Sequence, residues 1–256
     1  MIRAAVTILM ALLVLPLPAG ALELRLAYID QDARPYLTGA GTAIPERPGI
    51  AVELVQRAVS QLGATLVLTR LPARRMAEEV KAGRQDGILG FRHSPERARD
   101  LVFPMLDGKP DATRYAARLA HSLYRRHDSG VTWDGQRVGG LTAPVAVSST
   151  QLVADALQAQ GIEILRLESS SQMFAMLAIG RVDAVVVIDA LGDRQLREQG
   201  AGRIEKVAPP MLVEDFHVPV SRRFYAARRD FTERLWRLIG EQRDGVYAEL
   251  LPKYLF

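Results

Sequence analysis

The sequence predicts an α/β chain of two similar lobes, each a mainly parallel sheet flanked by helices, with the chain crossing between the lobes twice. The first observation behind this is a repeated junction. Lys81 to Leu89 (KAGRQDGIL) runs through a helix end and Gly-Arg-x-Asp into an apolar segment, and Ala178 to Val187 (AIGRVDAVVV) does the same about a domain's length later. Duplication is one reading of the pair, and convergence on a good helix stop is the other. The second is element order: around each copy, strand and helix patterns alternate as in a parallel sheet with right-handed crossovers. The third is size. At 256 residues, 48% hydrophobic and 24% charged, the chain can build two globular lobes.

The first residues stand apart from that pattern. Arg3 precedes an apolar run from Ala4 to Leu15, followed by Ala19-Gly20-Ala21, which reads as a secretory signal peptide over 1–21 with cleavage after Ala21. Its apolar core is too short to span a bilayer, and no later segment is apolar enough to do so. The chain has no cysteine, so neither a disulfide nor a lipid attachment site is expected. A periplasmic protein, neither lipidated nor embedded in the membrane, fits this pattern. The positive balance consists of four lysines against 29 arginines, scattered without a basic run or an aromatic series, which argues against nucleic acid. His93, His121, His127 and His217 lack metal-ligand spacing, so no metal or other cofactor is expected.

Taken in order, Leu24 to Ile29 (LRLAYI) is the first strand, and Asp30 to Tyr36 is a loop at its carboxyl end. There Tyr36 either walls a ligand or packs under Pro35. Thr38 to Pro48 is a turn-forming loop, and Gly49 to Leu62 has helical apolar spacing closed by Gly63. Thr65 to Leu71 is the second strand and Arg74 to Ala82 a helix, with Arg75 at its start either reaching over the sheet end or sitting in solvent. Gly83 suits a left-handed helix stop, with Lys81 in the last turn against the negative dipole end. Gly87 to Phe91 reads as a short strand covered on both faces. Phe91, His93, Ser94 and Arg97 follow at its carboxyl end, where open α/β sheets hold their ligands.

Thr113 to Arg126 has strand character and leads into the second lobe, whose sheet opens at Arg137 to Leu141. Thr142 to Thr150 is a loop ending in Ser148-Ser149-Thr150, followed by a helix over Gln151 to Gln160. The hydroxyls there suit N-caps and an anion held by free backbone donors. Ile162 to Leu167 and Asp183 to Ile188 are strands flanking a helix over Ser171 to Ile179. Val207 to Ser221 contains Pro209-Pro210 and then Phe216 to Ser221, the return strand. Asp230 to Gln242 is an amphipathic helix that Gly245 ends, and a last short helix runs through Tyr247 to Tyr254. The outgoing and return crossings make the first lobe discontinuous, 22–118 with 216–256 around a second lobe at 119–215, as in a hinged clamp.

Several stretches then carry a resemblance: Pro35-Tyr36, Pro48 to Leu54, Ala82 to Asp86, Ser94-Pro95-Glu96-Arg97, Gly180 to Ala184, and Asp244 to Ala248 with Lys253-Tyr254. In that order they resemble the family 3 bacterial extracellular solute-binding proteins, periplasmic receptors typified by polar amino-acid uptake. The resemblance implies the type II periplasmic binding protein fold. It also implies that Arg97 grips a ligand carboxylate, as a guanidinium fork matches two carboxylate oxygens. Ser94, the backbone of Phe91 to His93, and Ser149 and Thr150 from the second lobe would stand beside it. The chain departs from the family at Ile188, where an aspartate usually holds an α-ammonium. Asp189 comes one residue later, which on a strand is the opposite face. Ala73 stands where relatives often carry an aromatic.

The expected function is a non-enzymatic receptor, a monomer, that closes on a small anionic or zwitterionic solute and delivers it to a membrane permease complex. A sensing or accessory module for a periplasmic or membrane partner is a second reading. An enzyme like the cyclohexadienyl dehydratases is a third, and it would draw a cleft acid from Glu53, Glu96 or Asp189.

Overall fold

The computed structural model describes residues 22–147, 151–167, 169–199 and 202–254. The signal segment and the Ser148-Ser149-Thr150 hydroxyls lie outside them. The chain begins as expected: β1 (Glu23–Ile29), α1 (Ile50–Gln61), β2 (Thr65–Leu71), α2 (Ala73–Lys81) and β3 (Gly87–Ile88), with β1 parallel to both β2 and β3. Helix α1 packs Ile50, Val52, Leu54, Val55 and Val59 against one face of that sheet. On the other face, Met76 and Val80 of α2 meet Ala27, Ile88 and Phe103.

The single strand expected at Gly87 to Phe91 is divided. Gly90 has φ 78, a left-handed conformation open to glycine, and after it β4 (Phe91–Arg92) leaves the first sheet. Strand β5 (Leu101–Val102), the hairpin β6 (Met105–Leu106) and β7 (Lys109–Pro110), and then β8 (Ala117–Arg126) follow. Arg137 to Leu141 does not open the second sheet. Val138–Gly139 (β10) pairs instead with Thr132–Trp133 (β9) in a separate hairpin, and the sheet's first parallel strand is β11 (Val145–Val147), inside the stretch read as a loop.

Next come α3 (Gln151–Gln158), β12 (Ile164–Arg166), α4 (Ser170–Ala178), β13 (Ala184–Ile188), α5 (Asp189–Gln199) and the long β14 (Ile204–His217), then β15 (Val220–Ser221), α6 (Arg222–Ala227) and α7 (Arg229–Tyr254). Among the described residues the first sheet has the order β2-β1-β3-β15-β5 and the second β12-β11-β13-β8-β14-β4. The architecture is two α/β lobes, and β8 and β14, antiparallel to each other, cross between them. Ala117 at one end of β8 packs into the first lobe's core and Leu123 further along it into the second's.

Gly245 does not end a helix. Val246, Leu250 and Tyr254 continue the buried stripe of Leu235, Trp236 and Ile239, so α7 runs through it unbroken. A helical glycine costs about 1 kcal/mol, less than the roughly 1.5–3 kcal/mol gained by burying one large aliphatic side chain.

The repeated junction is structural in both copies. Gly83 and Gly180 stop α2 and α4 with φ 72 and 73. Asp86 accepts from the Arg25 backbone N (3.0 Å), Nε (3.1 Å) and Nη2 (2.9 Å). Asp183 accepts from the backbone N of Thr142, from Thr142 Oγ1 (2.9 Å) and from Ala143 N (2.7 Å). Each aspartate ties the start of its strand to the neighbouring segment.

Candidate ligand cleft

A cavity of about 290 Å³ opens at the carboxyl ends of β1 and β3, against the crossing strands. Its walls are mostly apolar: Ile29, Tyr36, Met76, Phe91, Leu119 and Phe216, with Ala73 at the start of α2. Three charged side chains reach it, Arg92, Arg97 and Glu214. The walls come from stretches far apart in sequence, brought together because β4 joins β14 rather than the first sheet, with Phe216 opposite Arg92 and His217 opposite Phe91.

Two of the three charges cancel. Arg92 Nη1 donates to Glu214 Oε1 at 2.7 Å, and the glutamate side chain is only 10% exposed. Arg97 is held differently. A short 3₁₀ turn over Arg97–Arg99 follows Ser94, whose Oγ accepts from Arg97 N at 3.3 Å. The guanidinium then lies over the Phe91 ring at 3.9 Å, with Nη1 donating to the Arg92 carbonyl at 2.8 Å. Among the described residues no carboxylate stands within 4 Å of it. Burial first, and the Arg92 charge second, push its pKa below the ordinary arginine value; Glu96 and Glu214 act the other way. A half-buried cation in that position is electrostatically prepared for an anion.

The other expected site residues divide. Tyr36 lines the cavity, and its phenol is pushed up to about 12, by burial first and then by the charges of Asp189 and Tyr115. Phe91 forms part of the wall and carries Arg97. Ser94 serves as the cap of the Arg97 turn. His93 turns aside to pack edge-on against Phe103, ring centroids 5.0 Å apart, and lies off the cavity wall. Arg75 is not brought to the cavity: its side chain is 66% exposed, 3.9 Å from Glu79 one turn along α2. Ser149 and Thr150 lie outside the described residues.

Asp189 is where strand parity fails as an argument. Ile188 is the last residue of β13 and Asp189 the first of α5, so the change of element, not a bulge, sets its direction. Its Oδ2 takes Lys206 Nζ at 2.7 Å, while Oδ1 has no accessible surface and no hydrogen bond among the described residues. Lys206 also reaches Asp193 at 3.1 Å, and Asp193 accepts from Tyr124 Oη at 2.7 Å.

Of the other acids considered for catalysis, Glu53 accepts a hydrogen bond from Tyr254 Oη, and Glu96 is exposed at the surface. Sequence reasoning passed over Arg92, Glu214 and Phe216. The signal was the alternation in Leu212-Val213-Glu214-Asp215-Phe216, which puts Glu214 and Phe216 on one face of the return strand.

Comparison with solved structures places this architecture among known ones. The L-cystine solute receptor of Neisseria gonorrhoeae, in its unliganded open conformation, superposes with a TM-score of 0.64 over 92% of this chain and 93% of its own, at 17% identity. The fold is that of the periplasmic binding proteins. The same fold occurs in a histidine kinase sensor domain with similarity to periplasmic binding proteins (TM-score 0.55, 22% identity, covering 92% and 96%). It occurs again in the GluR0 ligand-binding core of Nostoc punctiforme with (L)-glutamate (TM-score 0.56, 16% identity, covering 90% and 98%). No family model and no curated protein matches the chain. Among the described residues no helix is long and apolar enough to cross a membrane.

Proposed function

We propose that the protein is a periplasmic solute-binding protein that closes its two lobes on a small carboxylate-bearing solute and hands it to a membrane transporter. The observation that carries this is Arg97, a half-buried guanidinium on the cavity wall with no carboxylate partner among the described residues. In this reading the lobes are 22–118 with 216–256, and 119–215. Arg97, Phe91 and Tyr36 receive the solute on the first lobe, and Ser149 and Thr150 complete the site on closure. Closure follows when the solute binds the closed form better than the open one. The mature chain begins after Ala21, carries no lipid and acts as a monomer.

The test is a thermal-shift screen of carboxylates and amino acids, followed by calorimetry and small-angle scattering on any hit. A ligand at about 100 times its Kd stabilises the native state by about 2.7 kcal/mol, readily visible as a higher Tm. A hit that also shrinks the particle supports the proposal; no shift across the panel, or a rigid particle, refutes it. The likeness to a kinase sensor domain favours one second reading, a ligand-sensing module. Deleting the gene would then abolish a transcriptional response to the solute while leaving its uptake intact.

A further inference from the structure

Resting on the receptor reading above, we infer that the solute is an apolar monocarboxylate without an ammonium group, such as a branched-chain or phenyl-substituted 2-oxo acid, rather than an amino acid or a dicarboxylate. The charge count in the cavity is the first reason. Arg92 and Glu214 neutralise each other at 2.7 Å, leaving Arg97 as the one unmatched charge on its walls among the described residues. One negative charge on the ligand balances the site; a second would have to take Arg92 from a glutamate already buried against it.

The second reason is that, among the described residues, the cavity wall offers an ammonium no free carboxylate. The acid nearest in sequence to the expected ammonium-binding position, Asp189, has one oxygen on Lys206 and the other without accessible surface. An ammonium entering the cleft would lose its water without a matching anion, which disfavours it in a site of this polarity. Third, the rest of the wall is hydrocarbon and aromatic: Ile29, Met76, Leu119 and Phe216 face a volume of about 290 Å³. A branched-chain or phenyl-bearing acid fits that space and returns the wall's apolar surface to an apolar neighbour.

The experiment compares matched pairs by isothermal titration on the mature protein: phenylpyruvate against L-phenylalanine, 4-methyl-2-oxopentanoate against L-leucine, and phenylsuccinate as the dicarboxylate. The expected result is that each oxo acid binds at least about tenfold tighter than its amino acid, 1.4 kcal/mol or more, and tighter than phenylsuccinate by a similar factor. Glu214→Gln, checked for folding by circular dichroism, frees Arg92 and should narrow the gap to phenylsuccinate. An amino acid binding as tightly as its oxo acid, with that binding lost in Arg97→Ala, overturns this inference and leaves the receptor reading standing. No binding by any member of the pairs, together with a flat thermal-shift screen, overturns both.

Discussion

Replacing Arg97 by alanine separates a binding role from a structural one, because the two roles predict opposite balances of effect. In the free protein the guanidinium makes one hydrogen bond, to the Arg92 carbonyl, and one face-on contact with Phe91. These are worth about 1 kcal/mol and about 0.5–1 kcal/mol. Against them stand desolvation and the like charge of Arg92, the two causes that lower its pKa. The net effect of Arg97→Ala on unfolding in urea should therefore stay within about 1 kcal/mol of zero. Binding should suffer far more. A charge-assisted hydrogen bond contributes about 1.5–3 kcal/mol, so losing the contact to a carboxylate raises Kd about 12- to 150-fold. Arg97→Lys keeps the charge but not the planar fork, and belongs between wild type and alanine. Calorimetry on the best monocarboxylate gives Kd, and urea unfolding of the ligand-free proteins gives stability. The reasoning is refuted if Arg97→Ala binds within about threefold of wild type, under 1 kcal/mol.

Two other groups give independent predictions. The pKa of His121 is lowered from 6.5 to about 4 by burial, only partly offset by the Asp189 charge. The unfolded chain therefore binds the extra proton first, and stability that is full above pH 6.5 should fall by roughly 3 kcal/mol as the pH drops towards 4, a slope His121→Leu should flatten in urea titrations. Lys206→Met leaves Asp189 and Asp193 without their cation. It should lower stability by about 1–2 kcal/mol, since the pair is only partly exposed, and move the Kd ratio of phenylpyruvate to L-phenylalanine towards the amino acid.

Much of the fold was readable because it rests on local rules. Thr65 to Leu71 matched its strand residue for residue, and the two Gly-Arg-x-Asp junctions ended their helices with left-handed glycines as their chemistry requires. What could not be read was decided by distant partners. Gly87 to Phe91 looks like one strand until Gly90 turns it and β14 captures Phe91 and Arg92. Gly245 looks like a stop until the buried stripe on α7 outweighs it. At the site, Arg97 was legible through the Ser-Pro-Glu-Arg stretch before it. Arg75 looked equivalent in sequence and instead faces Glu79 on the surface. Glu214 went unnoticed because its importance lies in neutralising Arg92, a pairing across 122 residues.

The repeated aspartates show how one motif can carry two geometries, and they permit a prediction that depends on the difference. Asp86 uses both oxygens on one arginine: Oδ2 takes the backbone N and Nε of Arg25 and Oδ1 takes its Nη2. Asp183 gathers its three bonds on Oδ2 alone, from the backbone N and hydroxyl of Thr142 and from Ala143 N. Its Oδ1 meets Arg126 Nη2 only at 3.6 Å. An asparagine at 183 can put its carbonyl oxygen where the three donors converge and its amide towards the more distant arginine, so Asp183→Asn should cost about 1 kcal/mol. At 86 neither amide orientation works, since an NH₂ must face a guanidinium donor at close range and the Arg25 charge loses its partner. Asp86→Asn should cost about 2–3 kcal/mol, below the 3–5 of a fully buried pair because Arg25 is 35% exposed. Both carboxylates are buried, so burial alone would rank the two substitutions equal; only the distribution of bonds over the oxygens separates them. If urea unfolding gives Asp183→Asn the larger loss, the bond-by-bond account of these junctions is wrong.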